Sequence, residues 1–369
     1  MPSKGGAVNI VIAAGGTGGH IFPALAAVQE WRRQDPAVRV WWVGTARSRE
    51  RDLCEQHAID LTVLSVTGMP RTPGVRMARS LGAFAGALGE VRRLFATFCP
   101  DAVLAFGGYV CGPVLTMARL AAIPYVLHEQ NTVPGMVNKL FASRAAAVFL
   151  GFPVDTRYRL RGKTFVTGNP VRRISGTYRD FPYPQRFDRD RTTVLVCGGS
   201  QGAVSMNRLL LDAARGWADS GIQVVWQTGE SGYEEVRAAF EAVANVFIFP
   251  SMPDLYPWYA AARVVVGRAG ASTISEAGYF GLPCVLIPLP WATGNHQYYN
   301  AGLVEGQGWG QRVCQDEACA RTTDHWVRRI VDDGELFEAM SRRALDHSPA
   351  AAAAAIVTRT RELLESGAP

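Results

Sequence analysis

The chain of 369 residues has no apolar run near the 18 or so residues that cross a bilayer, so no membrane-spanning helix organises it. Its opening MPSKGGA is polar and leads straight into a strand, without the apolar core of a secretion signal. Paired metal-ligand spacing is missing too. Of seven cysteines, an odd number, Cys314 and Cys319 have no companion His or Cys cluster, and all seven read as reduced thiols of a cytosolic protein. The first glycine-rich turn is not spaced G-x-G-x-x-G and no acidic residue ends the next strand, which disfavours an NAD oxidoreductase. No basic-aromatic interleaving supports a nucleic-acid surface. Asp188-Arg189-Asp190 matches D-x-D but precedes a strand instead of ending one, so it reads as solvated and no metal or other cofactor is invoked.

With 48% hydrophobic and 19% charged residues, the composition is that of a globular protein, and the length exceeds what one core usually supports, so two domains are expected. The net charge of +6 is uneven. Residues 1–170 hold 19 basic and 10 acidic side chains, whereas 171–369 hold 19 and 22, so the first half prefers an anionic partner such as nucleic acid or an acidic membrane surface.

Val8–Ala14 reads as a buried parallel strand, and it runs into Gly15-Gly16-Thr17-Gly18-Gly19-His20. Helical spacing follows over 21–33, with Pro23 in a tolerated first-turn position. Such a turn suits a phosphate or a closely approaching sugar. His20 at the helix start reads either as a neutral imidazole able to accept a proton or as a residue bonding the local backbone. Between Arg71 and Phe98, Met77, Leu81, Phe84, Leu88, Val91 and Phe95 recur at three and four residues, flanked by Arg76, Arg79, Arg92 and Arg93. The stripe fits an interfacial membrane helix or packing on the sheet. A strand over 102–106 leads to the glycine turn GGYVCGP, and one over 124–128 delivers His128-Glu129-Gln130-Asn131 at its carboxyl end, where ligands bind in open parallel sheets. Residues 175–191 read as an irregular linker.

The second half repeats the plan, with a strand over 193–197, the turn GGSQGA and a helix over 205–218. Its most informative stretch runs from Gly267 to Ala301, as strand, loop, helix, strand and polar loop. Small residues at Gly267, Ala269, Gly270 and Ala271 admit a ligand close to the backbone, and a helix beginning near Ser272 aims unpaired N–H groups at an anion. Arg268 suits phosphate and Glu276 suits ribose or sugar hydroxyls; the plain alternatives are a surface ion-pair partner and a solvated helix residue. Ala350–Leu364 has high helical propensity.

The motifs GGTGGH (15–20), GGYVCGP (107–113), HEQN (128–131), GNPVR (168–172), GGSQGA (198–203), RAGASTISE (268–276) and NHQYYNA (295–301) together resemble the MurG family of bacterial cell-wall glycosyltransferases, in one order along nearly the whole chain. The resemblance implies a GT-B α/β fold, two Rossmann-like domains with parallel sheets facing across a cleft. The boundaries expected are an acceptor and membrane-facing domain over 1–171, a UDP-GlcNAc domain over 172–349, and a helix over about 350–366 returning to the first. It also implies inverting, metal-free transfer of GlcNAc from UDP-GlcNAc to lipid I, giving lipid II. The location implied is peripheral, on the cytoplasmic face of the inner membrane, with an anionic membrane surface and cell-wall synthesis proteins as partners.

Carried onto this sequence, the family's roles put Thr17, Gly18 and Gly19 beside the donor, Asn131 on the GlcNAc, and Arg172 and Ser200 on the nucleotide or its phosphates. Ala271, Ser272, Thr273, Ile274, Ser275 and Glu276 would hold uridine and ribose, with Gln297 and Asn300 on sugar hydroxyls. His20 is the first candidate base and Glu129 the second. Two departures stand out: Cys111 where the family often has a small hydroxyl residue, and a longer segment over 252–259. A UDP-sugar transferase with another acceptor, or a UDP-GlcNAc epimerase, would share the nucleotide half but have no use for a basic, apolar first domain.

Overall fold

The computed structural model describes residues 7–366 except 47, 69–71, 73, 175–177, 179, 200–201 and 253. The chain forms two compact units, Met1–Arg172 with Ala351–Pro369, and Arg173–Ala350.

In the first unit, strands and helices alternate: β1 (Asn9–Ala14), α1 (Gly18–Gln34), β2 (Arg39–Gly44), α2 (Ser48–Gln56), β3 (Asp60–Val63), α3 (Val75–Phe98), β4 (Ala102–Gly107), α4 (Cys111–Leu120), β5 (Tyr125–Glu129), α5 (Met136–Phe141), β6 (Ala147–Leu150) and β7 (Thr164–Val166). The strands make one parallel sheet in the order β3-β2-β1-β4-β5-β6-β7. Side chains alternate across it. Ile10, Ile12, Leu104 and Phe106 join Leu25 and Val28 of α1 on one face, while Val11, Ala13, Val103 and Ala105 join Val91 and Phe95 of α3 and Val114 and Leu115 of α4 on the other. Burial on both faces explains why these strands read as continuous apolar runs.

The second unit contains β8 (Thr193–Cys197), α6 (Val204–Asp219), β9 (Gln223–Gln227), α7 (Tyr233–Ala239), β10 (Val246–Phe249), α8 (Tyr256–Ala261), β11 (Val264–Gly267), α9 (Ala271–Tyr279), β12 (Cys284–Leu286), α10 (His296–Gly306), β13 (Gly310–Arg312), α11 (Cys319–Asp332) and α12 (Gly334–Asp346). Its sheet is also parallel, in the order β10-β9-β8-β11-β12-β13. Trp217 of α6, Trp226 of β9 and Ile330 of α11 are fully buried in its core.

Three features depart from the sequence reading. Helix α1 begins at Gly18, with Thr17 extended at the N-cap position, so Pro23 lies in the second turn and offers no N–H to the Gly19 carbonyl. The edge strands β3 (DLTV) and β13 (GQR) lack the apolar run that marked the inner strands. The described part of the 175–191 segment has no regular structure yet is packed, with Phe181, Tyr183 and Phe187 clustered around Trp258 and the Tyr183 hydroxyl donating to the Pro257 carbonyl at 2.7 Å.

Helix α13 (Ala352–Glu365) belongs to the first unit, where it packs on α1 and places Ile356 and Val357 in the core beside Leu104 and Phe106. Ile356→Ala should therefore cost about 2–5 kcal/mol, read as a lower denaturation midpoint. An unchanged midpoint would show that α13 is not part of that core.

Candidate functional sites in the two units

Each sheet reverses its strand order once, between β1 and β4 in the first unit and between β8 and β11 in the second. The crevice outside the carboxyl ends of strands at such a reversal is where open α/β sheets bind ligands. The glycine-rich turns follow those four strands.

In the first unit the two turns meet through bare backbone. Gly108 has φ +91° and a Cβ there would lie 2.4 Å from the Gly15 carbonyl oxygen; Gly107 has φ +115° and its Cβ would lie 2.6 Å from His20 Cδ2. Only glycine permits both the conformation and the approach. The His20 ring thus lies against Gly107, and its Nδ1 is 3.1 Å from the Gly15 carbonyl oxygen and 3.4 Å from Thr17 Oγ1. A carbonyl can only accept, so Nδ1 carries the proton and Nε2 the basic lone pair. Thr17 is exposed, Gly18 buried and Gly19 half-buried at the start of α1, whose first turn holds no acidic residue.

The HEQN segment is more deeply buried than a solvent-facing site would be. Glu129 Oε2 accepts from the Gly135 N–H at 2.7 Å and from Asn138 Nδ2 at 2.8 Å, while Oε1 accepts from the Asn131 N–H at 3.0 Å. Its carboxylate closes the loop after β5 and presents Asn131, which is half-buried. Burial pushes the His128 imidazole down to about 3, so it is neutral, and Gln130 is tied to the Phe106 carbonyl. Cys111 is inert: burial pushes its thiol up to about 12, and the thiol donates to backbone carbonyls of Ala13 and Gly107, as a small hydroxyl would. The Arg172 guanidinium lies over the Phe22 ring, 5.6 Å from its centroid.

Sequence reasoning missed Glu50. It is the third residue of α2, is 1% exposed, and accepts from the Gly16 N–H at 2.9 Å, the Thr45 N–H at 2.5 Å and the Thr45 hydroxyl at 2.6 Å. The only sequence trace of it is an acidic residue in a first helical turn, a common feature.

In the second unit, α6 and α9 start at the carboxyl ends of β8 and β11. Neither has a side-chain cap or an acidic residue in its first turn. In α9 the first N–H bonded back to Gly270 is that of Ile274, at 3.1 Å, so the N–H groups of Ala271, Ser272 and Thr273 have no intrahelical acceptor. Ser272 Oγ is buried without a partner among the described residues. Ala271, Thr273, Ile274 and Ser275 have buried side chains, so this helix start faces a ligand chiefly through backbone N–H groups.

Arg268 is 5% exposed and its fork is taken up by the Ile287 carbonyl at 3.1 Å, the Pro288 carbonyl at 3.3 Å and Ser205 Oγ at 3.0 Å. Burial lowers its pKa from the free value to about 10, which leaves it charged at neutral pH. It ties the segment just after β12 to α6 and adds a positive charge behind the loops. Asn300, fully buried, donates to the Ala269 carbonyl at 3.2 Å, and Gln297 Oε1 accepts the Leu289 N–H at 2.9 Å. Both shape loops at the carboxyl edge. Glu276 is half-buried and receives a hydrogen bond from Tyr259, whose phenol burial holds protonated. Ser200 lies outside the described residues. Among the described residues no three His, Cys, Asp or Glu side chains are placed to hold a metal ion.

Comparison with known proteins matches the glycosyltransferase family 28 N-terminal domain over residues 10–150 and the family 28 C-terminal domain over 193–356. A relative from Natranaerobius thermophilus, named UDP-N-acetylglucosamine--N-acetylmuramyl-(pentapeptide) pyrophosphoryl-undecaprenol N-acetylglucosamine transferase, is 32% identical over 97% of this chain and all of its own. The crystal structure of MurG from Acinetobacter baumannii superposes with a TM-score of 0.74 at 25% identity, covering 96% of this chain and 99% of that one. A UDP-GlcNAc 2-epimerase from Neisseria meningitidis, at 12% identity and a TM-score of 0.64 over 96% of this chain and all of its own, shares the fold alone. The chain belongs to glycosyltransferase family 28 and, within it, to the MurG family of N-acetylglucosamine transferases.

Proposed function

We propose that this chain transfers N-acetylglucosamine from UDP-GlcNAc to the 4-hydroxyl of the MurNAc in undecaprenyl-pyrophosphoryl-MurNAc-pentapeptide, with inversion at the anomeric carbon. The observation that carries the reading is the pair of uncapped, acid-free helix starts at the strand-order reversal of the second unit, in a chain of this family. The bond from the anomeric carbon to the diphosphate breaks with its electron pair leaving on UDP, the acceptor oxygen forms the new bond, and its proton passes to a base.

Two requirements follow. The departing diphosphate needs N–H donors and positive charge, which the start of α9 and the charge of Arg268 would supply; the family resemblance adds Ser200 and Arg172 as nucleotide or phosphate contacts. Ser272 Oγ fits the same ligand, and Glu276 would take the ribose hydroxyls. The acceptor hydroxyl needs a base. His20 is the better candidate because its fixed tautomer puts a lone pair on Nε2, whereas the Glu129 carboxylate is engaged by N–H donors of Asn131, Gly135 and Asn138. Thr17, Gly18, Gly19 and Asn131 would line the sugar, while Gln297 and Asn300 would act by shaping the loops around it.

The membrane reading gains support from exposure. Helix α3 splits as an interfacial helix would: Val91 and Phe95 are buried while Val75 and Leu81 near its start are exposed. It packs on α4 and α4 on α5, where Leu120 (74% exposed), Met136 (80%) and Leu140 add apolar surface that the sequence stripe did not include. Arg76, Arg79, Lys139 and Arg144 are exposed on or next to the same helices, so an anionic lipid surface suits both components. Arg71 lies outside the described residues. No helix among the described residues is long and apolar enough to cross a membrane.

Three outcomes are expected. UDP release from UDP-GlcNAc should require a lipid I analogue and stop with Glu276→Ala; release to water alone would return the acceptor assignment to the epimerase and other-acceptor readings. His20→Ala should lower kcat by about 100-fold to 10,000-fold at saturating substrates, and near-full turnover would remove it as the base. Binding to anionic vesicles at low salt should weaken with Leu81→Ser combined with Met136→Ser. Unchanged binding in that variant would discard this surface.

A further inference from the structure

Gly16 N–H and Gly15 C=O belong to one planar trans peptide group, so they point in opposite directions. Glu50 accepts the N–H at 2.9 Å, and His20 Nδ1 meets the carbonyl oxygen at 3.1 Å. Carboxylate, peptide group and imidazole therefore form one chain of hydrogen bonds. The geometry points to Glu50 as the positioning residue for His20, acting through the Gly15–Gly16 peptide group. This rests on the reading of His20 as the base.

The argument has three parts. The peptide cannot turn over freely, because Gly15 O is crowded by Gly108, whose Cβ position lies only 2.4 Å away, and because Gly15 N–H is itself bonded to the Gly107 carbonyl at 3.3 Å. The carboxylate is itself immobile. Thr45 gives it two further donors, and the Gly44 backbone lies so close that a Cβ there would fall 2.4 Å from Oε2. Finally, hydrogen bonds in series polarise one another. A carboxylate on the N–H side makes the carbonyl a stronger acceptor on the other side, which fixes the Nδ1–H tautomer and stabilises the imidazolium formed when Nε2 takes the acceptor proton. The arrangement does the work of a carboxylate bonded directly to a catalytic imidazole, with one backbone amide interposed.

The same placement bears on what the first turn binds. Its Gly16 N–H is occupied by an internal carboxylate, so this turn suits a hydroxyl or sugar better than a second anion.

The test uses the full-length enzyme with UDP-GlcNAc and a lipid I analogue. Glu50→Gln keeps the side-chain shape and removes the charge; it should lower kcat by about 10-fold to 100-fold, as loss of an orienting partner does, and leave the donor KM within about twofold. In a His20→Ala background the same change should add less than about threefold, because both substitutions disable one unit. Heteronuclear NMR of the unaltered protein should show the His20 proton on Nδ1, a measurement that holds even where a variant fails to fold. The inference is overturned by a folded Glu50→Gln enzyme with unchanged kcat, by an equal loss in both backgrounds, or by a proton on Nε2. Full turnover in His20→Ala would instead overturn the base assignment, and this inference with it.

Discussion

The close crossing of two backbones at the end of β1 and β4 governs the first unit's site. Gly15 and Gly108 approach to a distance that excludes even a methyl group, and the His20 ring fills the space left by the missing side chain of Gly107. Parallel strands bring their carboxyl ends to one edge, and the reversal of order leaves the two following loops without a strand between them. Glycine then lets those loops touch. Imidazole orientation, peptide orientation and the position of the α1 start follow from that one contact, so a single added carbon would disturb all three.

Much of the molecule was legible from pattern alone. The inner strands β1, β4, β5, β8 and β11 are buried on both faces and therefore read as unbroken apolar runs, and glycine-rich turns mark the carboxyl ends of all of these but β5. What stayed hidden has a physical cause in each case. Strands β3 and β13 lie at sheet edges, where one neighbour suffices and polar residues are tolerated, so DLTV and GQR carry little periodicity. The start of α1 was misplaced because glycines have low helix propensity and tertiary contacts overrode it. Of the site, the motifs located the loops but could not separate residues that face a ligand from residues that hold the loop. Glu129, Arg268 and Asn300 all have the chemistry of ligand contacts, yet each is buried and bonded to neighbouring backbone. Glu50 went the other way, since its importance comes from Gly16, 34 residues earlier in the chain.

Burying these polar groups is costly unless they find partners, and here many of the partners are backbone atoms of the loops that follow the strands. The side chains of a compact loop are too small to pack it, so polar groups from adjoining helices and loops hold it from behind. Glu50 of α2 serves the loop after β1 in this way. Glu129 at the end of β5 and Asn138 of α5 serve the loop between those elements, and Asn300 of α10 serves the loop after β11. Residues far apart in sequence are thereby required for one surface.

The signs of these buried supports differ between the units, and that difference divides the chemistry. The first unit braces its glycine turn with a carboxylate, which leaves a surface better matched to neutral hydroxyls. The second unit braces its loops with a guanidinium that remains charged though burial lowers its pKa to about 10, and it adds two helix starts without acids. In the proposed reaction Arg268 would not need to touch a phosphate to stabilise one, because a buried charge is weakly screened. Proton acceptance and departure of an anion make opposite electrostatic demands. In the transfer proposed above, a carboxylate behind the first unit's glycine turn and an arginine behind the second unit's loops would meet both demands without either group reaching the surface.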